Sequence, residues 1–183
     1  MYVASLIRSR VIFAFSMCCL ALSLATAAGA VDLRDWGRKF PTAERFVVLS
    51  QFGNQAVLDK ETQLVWQRQP FQSQTSWIVA KVRCLSLVLG GRRGWRLPSV
   101  HELQSLTRPD APIGVLALPT GHPFVNVQAS SYWTETRFVG GSGQPTGGAF
   151  AIQFHVGGLF ELPPTETPRF NWCVRGGGPI SEH

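Results

Sequence analysis

At 183 residues, 45% of them apolar, the chain can bury one hydrophobic core and is too short for two full domains. Seventeen Lys and Arg against eleven Asp and Glu give a formal net charge of +6, a surplus that suits anionic partners. It contains no run of like charges of the kind a nucleic-acid arm uses, so nucleic acid is not an implied partner.

Arg8 and Arg10 precede an uncharged apolar run from Val11 to Leu24, and small residues follow from Ala25 to Ala30. This layout predicts a secretory signal peptide over residues 1–30, with Ala25-Thr26-Ala27 and Ala28-Gly29-Ala30 both fitting an A-x-A cleavage site. The competing reading is an uncleaved anchor, because the stretch could span a bilayer of about 30 Å. Cleavage lowers the net charge from +6 to +4, leaves no stable membrane insertion, and places the rest of the chain in the periplasm or outside the cell. In that oxidising compartment Cys84 and Cys173 remain, and one disulfide is their simplest pairing. Neither belongs to a C-x-x-C pair or has a His or carboxylate at ligand spacing, so no metal site is expected.

Residues 31–45 read as an N-terminal arm and 46–183 as the domain. After the apolar run Phe46 to Ser50, the segments Ala56–Asp59 and Leu64–Gln67 carry strand-forming residues and predict a β-hairpin through Lys60-Glu61-Thr62-Gln63. From Ser76 to Leu89 the residues Trp77, Ala80, Cys84, Leu87 and Val88 recur at helical spacing, and Gly90-Gly91 is the expected stop. Ser99 and Glu102 form a capping-box pattern that opens a second helix, with Val100, Leu103 and Leu106 as its apolar stripe. Residues 107–148 are rich in Pro, Gly and Ser and read as a long loop region in which function is expected to lie. Ala149 to Val156 alternates as a half-buried strand, with Phe150, Ile152, Phe154 and Val156 on its apolar face. Gly157-Gly158 turns the chain, Leu159–Leu162 returns as a strand, and Trp172–Arg175 closes the fold.

Five pieces in this order, AVLDKETQLVWQR, GWRLPSVHEL, LPTGHPF, SYWTET and WCVRGG, resemble the Lcl C-terminal domain family, named for the end domain of the Legionella collagen-like adhesin. The family is similar to C-type lectin-like domains and, through the RLP segment, to formylglycine-generating enzymes. The resemblance implies an α+β domain, C-type lectin-like, with two helices packed on a twisted antiparallel sheet. It also implies that a disulfide ties the first helix, at Cys84, to the last strand, at Cys173. Calcium-dependent sugar binding is not implied, because the chain lacks the acidic and amide ligand set of the calcium lectins and has only Glu135 as a carboxylate between 111 and 160. Where the family has glycine in the hairpin turn, this chain has Gln63.

Arg83, Arg92, Arg93 and Arg96 gather around the end of the first helix, and their guanidinium groups suit sulfate, phosphate or carboxylate. Arg96 has a structural alternative, a pairing with Glu102. Tyr132, Trp133, Phe138 and Phe150 could stack on sugar rings or serve as core. His101, His122 and His155 have no titratable partner at useful spacing, so no catalytic residues and no cofactor are expected. The expected function is an exported, calcium-independent, lectin-like binding module for anionic or sulfated glycans. The alternative is a structural or protein-interaction module of the cell envelope.

Overall fold

The computed structural model describes residues 40–139 and 145–176; the expected signal peptide and most of the expected arm lie outside the described residues. The first element among the described residues is a single turn of helix, α1 (Thr42–Arg45), which leads into β1 (Phe46–Val48). The predicted hairpin is present as β2 (Ala56–Asp59) and β3 (Leu64–Gln67), in register from Ala56 opposite Gln67 to Asp59 opposite Leu64. β1 adds to one side of it and β7 (Val174–Arg175) to the other, giving an antiparallel sheet in the order β1-β2-β3-β7. Asp59 organises the hairpin turn by accepting the Glu61 N–H at 3.0 Å and the Thr62 hydroxyl at 2.9 Å. Gln63 closes that turn at φ +57°, the left-handed conformation that glycine adopts most easily.

A second antiparallel sheet follows the order β4-β5-β6, from β4 (Ser131–Val139), β5 (Pro145–Gln153) and β6 (Leu159–Glu161). The fold is thus a small α+β domain with two antiparallel sheets in place of the single sheet expected. Residues 131–139 and 145–148 of the expected loop region belong to the β4–β5 pair. The pairing escapes the alternation rule because the register shifts twice between Trp133 and Val139 and because Ala149, Ala151 and Ile152 of β5 are buried from both of its faces. Ile152 and Phe154 join one core cluster, and Ala149 and Ala151 join the other. The strand expected at 149–156 is therefore present within β5, with its bounds corrected to Pro145–Gln153 and with Ala149 and Ala151 buried on the face expected to meet solvent.

The two clusters lie on opposite faces of the first sheet. Val57, Leu64, Trp66 and Val174 pack with Tyr132, Trp172, Leu103 and Leu106, whereas Ala56 and Cys173 pack with Trp77, Ala80, Cys84, Trp95 and Trp133. α2 (Trp77–Ser86) buries Trp77, Ala80 and Cys84 in the second cluster. It ends earlier than expected, because Leu87 is already extended and Ser86 turns its hydroxyl back onto the Val82 and Arg83 carbonyls. Gly90 and Gly91, both at positive φ, instead make a two-residue turn whose flanks Leu89 and Arg92 exchange backbone hydrogen bonds of 3.2 and 3.0 Å. Gly90 lies so close to the helical turn at Ser50–Phe52 that a Cβ there would stand 2.5 Å from Phe52 Cα.

α3 (Val100–Gln104) has the predicted capping box: the Ser99 hydroxyl accepts the Glu102 N–H at 3.2 Å, and the Glu102 carboxylate accepts the Ser99 N–H at 2.7 Å. The GWRLP and WCVRG segments meet, with Arg96 and Val174 exchanging two backbone hydrogen bonds of 2.9 Å. Cys84 and Cys173 form the expected disulfide, their Cα atoms 5.4 Å apart and both residues fully buried. No helix among the described residues is long and apolar enough to cross a membrane.

Candidate functional site

From the end of β3 the chain runs Gln67-Arg68-Gln69-Pro70-Phe71-Gln72 with no carboxylate, and backbone pairing fixes its path. The Arg68 N–H donates to the Gln55 carbonyl at 2.8 Å, the Val125 N–H donates to the Arg68 carbonyl at 3.0 Å, and the Phe71 N–H donates to the Asn171 carbonyl at 3.2 Å. The Arg68 side chain donates to the Asn54 and Pro123 carbonyls at 3.2 and 3.1 Å, joining the β2 entry to the loop before β4. Gln72 is anchored similarly, donating to the Pro70 and Asn126 carbonyls at 2.7 and 3.1 Å.

These ties enclose a groove of about 450 Å³. Its polar lining is Asn54, Gln55, Gln67, Gln69, Gln72 and Arg68; its apolar lining includes Phe71, Leu89 and Val125. Gln67 forms part of the floor and is itself held by the closing strand, for its carbonyl accepts Trp172 Nε1–H at 2.6 Å and its N–H donates to the Cys173 carbonyl at 2.9 Å. Carboxamides both donate and accept, a guanidinium donates in a planar fork, and a half-exposed ring offers a flat apolar face. The lining contains no Asp or Glu, so it suits a neutral or anionic polar ligand and disfavours a cation.

Two of the sequence candidates border this groove. The Arg83 guanidinium lies 5.7 Å from the Phe71 ring centroid and donates to the Ser73 hydroxyl at 2.9 Å. The Arg92 guanidinium covers the Phe52 ring at 4.7 Å, and its backbone pairs with Leu89, a lining residue. Arg93 is exposed on the same turn.

Tyr132 and Trp133, offered by the sequence as stacking candidates, are corrected to core: both are fully buried and can show no face to a ligand. Trp133 Nε1–H donates to the Thr75 carbonyl at 2.8 Å, and the Tyr132 hydroxyl accepts the Gln128 N–H at 2.7 Å. Arg96 takes the structural alternative, with a two-pronged pair of 2.8 and 2.7 Å to Glu102 and a third hydrogen bond to the Gly176 carbonyl. Burial raises the Glu102 carboxyl, but hydrogen bonds from Arg96 and Ser99 outweigh it and hold the group below the usual carboxylate range. His122 packs on Phe124 with centroids 5.8 Å apart, and burial lowers its pKa. His101 is exposed on α3, and His155 lies in the turn after β5.

The groove is therefore built mainly from the β3–α2 connection, not from residues 107–148, which contribute Val125 to its lining and Asn126 beneath Gln72. A visible signal was the concentration of Gln67, Gln69, Gln72 and Gln74 around Phe71, uncharged but rich in donors and acceptors. Among the described residues no three His, Cys, Asp or Glu side chains come together as metal ligands. The family model of the Lcl C-terminal domain matches residues 55–175. No curated protein and no solved structure matches the chain.

Proposed function

Because the chain belongs to the Lcl C-terminal domain family over residues 55–175, we propose that it is an exported, calcium-independent binding module of the C-type lectin-like kind. Its ligand is an anionic glycan, sulfated glycans foremost, which it holds without chemical conversion. The observation that carries this reading is the groove lined by five carboxamides, Arg68 and the Phe71 ring with no carboxylate. Sugar hydroxyls pair with amides, a sugar face packs on the ring, and sulfate esters pair with the guanidinium groups of Arg68, Arg83, Arg92 and Arg93.

The test is retention on immobilised heparin and on its desulfated form. The unaltered protein is expected to elute later from the sulfated matrix and to lose that difference as salt shortens the screening length below about 8 Å. Gln69→Ala with Phe71→Ala, and separately Arg92→Ala with Arg93→Ala, should each weaken binding roughly tenfold, equivalent to about 1.4 kcal/mol. Calcium or a chelator should leave the melting temperature and the retention unchanged. Identical retention of both double variants and the unaltered protein would remove the groove from consideration.

A further inference from the structure

α2 has a second face that its packing leaves open. With Trp77, Ala80 and Cys84 turned inward, Ile78, Val82 and Leu85 fall in one stripe at steps of four and three residues, and Val79 lies beside it. Their exposures are 54%, 56% and 58% for the stripe and 42% for Val79, and Val88 beyond the helix end is exposed at 44%. Scattered exposed apolar residues are ordinary, but five on and just beyond a ten-residue helix are a patch.

The segment that carries this patch has charges of one sign, and carboxylates come to the helix from elsewhere: Glu135 on β4, and Glu166 beside Thr165, whose carbonyl accepts the Trp77 N–H at 2.8 Å. Residues 68–95 contain Arg68, Lys81, Arg83, Arg92 and Arg93 and no Asp or Glu. At 100° per residue Lys81 falls on one flank of the stripe and Arg83 on the other. From the neighbouring strand β4, Arg137 covers the Trp77 ring at 5.2 Å, and Glu135, the carboxylate facing the helix from that strand, is paired with Lys81 at 3.1 Å.

An apolar stripe flanked by cations on both sides is the pattern of a helix that lies in a lipid headgroup layer. A second copy fits less well, since a two-fold contact through this face would bring two like-charged flanks together. A ten-residue helix is also only about 15 Å long, short for the roughly 800 Å² per partner of a stable interface.

We infer that α2 is a membrane-surface docking element, seating Ile78, Val82 and Leu85 at the headgroup boundary of an anionic bilayer with Arg83, Arg92 and Arg93 against lipid phosphates. The arginines are shared with the groove reading, but the apolar stripe lines no part of that groove, so its variants separate the two.

The experiment is co-sedimentation of the full-length protein with vesicles of equimolar phosphatidylglycerol and phosphatidylcholine, beside vesicles of phosphatidylcholine alone. Binding is expected to favour the anionic vesicles and to fall with salt. Ile78→Ser, Val82→Ser and Leu85→Ser together should reduce it roughly tenfold or more, with heparin retention and the circular dichroism spectrum unchanged. Val82→Trp should strengthen it several-fold, about what an interfacial aromatic provides, and keeps the test decisive should the triple variant misfold. The run Val11–Leu24 is identical in every variant, so differences between them report α2. Equal sedimentation of all three proteins, indifference to lipid charge, self-association abolished by the triple variant, or capture of a soluble envelope protein through this face without vesicle binding would each overturn the inference.

Discussion

Arg45 and Asp59 show how much one buried pair can fasten in a small domain. The Arg45 guanidinium meets the Asp59 carboxylate through hydrogen bonds of 2.8 and 2.7 Å and also donates to the Ser105 carbonyl at 3.0 Å, tying α1, the hairpin and the end of α3 together. Asp59 has no solvent contact, so deleting its partner strands a charge. Arg45→Met is therefore expected to cost about 3–5 kcal/mol in urea unfolding, a loss that a merely solvated arginine would not show. The opposite sign is expected at Gln63, whose φ of +57° is uncomfortable for any residue with a Cβ. Gln63→Gly relieves that strain but gives up the side-chain hydrogen bond to the Lys60 carbonyl and adds freedom to the unfolded chain. The net expected gain is small, about 0.5 kcal/mol, and a fall in melting temperature would show that the side-chain bond outweighs the strain.

At the scale of elements, what could be read in the sequence was whatever is specified locally. The hairpin, the capping box at Ser99 and Glu102, and the helix through Trp77, Ala80 and Cys84 each follow from residues a few positions apart, and all three are present. Of the β4–β5 pair the second half of β5 was legible from its alternation, whereas β4 was concealed because bulges shift its register and because Tyr132, Trp133 and Thr134 are buried in succession. The groove was concealed for a related reason: Asn54, Gln69, Leu89 and Val125 come from four separate stretches, and only the pairing of distant backbones brings them together. The disulfide joins the local and the distant, since it links α2 to the residue before β7 across 89 positions. Closing a loop of that length is worth roughly 4–5 kcal/mol in the chain-entropy model, beside ~5–15 kcal/mol for a whole domain. Cys84→Ser with Cys173→Ser should thus lower the melting temperature steeply and speed proteolysis. Free thiols found by labelling the denatured native protein would mean that the bond does not contribute in the cell.

For the molecule as a whole, the shifted groups predict how stability follows pH. Glu102 and Glu161 lie below the usual carboxylate range; burial acts against this, but hydrogen bonds from Arg96 and Ser99, and from Arg169 and Gln153, prevail. His122 is lowered by burial alone. Each of the three has a folded pKa below its unfolded value, so its contribution is complete above the unfolded pKa and is lost as pH falls through the folded one. Tyr132 is raised by burial, so its contribution is complete below its unfolded pKa and is lost at higher pH. The melting temperature should hold steady near neutrality, fall below about pH 6.5 as His122 becomes protonated in the unfolded chain, and fall more steeply below about 4.5. It should fall again above about pH 10. Stability that rises on mild acidification would contradict these assignments. Gly90 bears on the whole molecule differently, because its missing Cβ lets the Leu89–Arg92 turn rest on the backbone of Phe52. Leu89, next to Gly90, and Asn54, two residues after Phe52, both line the groove, so that backbone contact holds together two separate stretches of its lining. Gly90→Ala would set a Cβ against that backbone at a φ of +54°, so the turn has to withdraw from Phe52, and the change should appear as a lower melting temperature together with altered binding at a groove whose lining side chains are all retained.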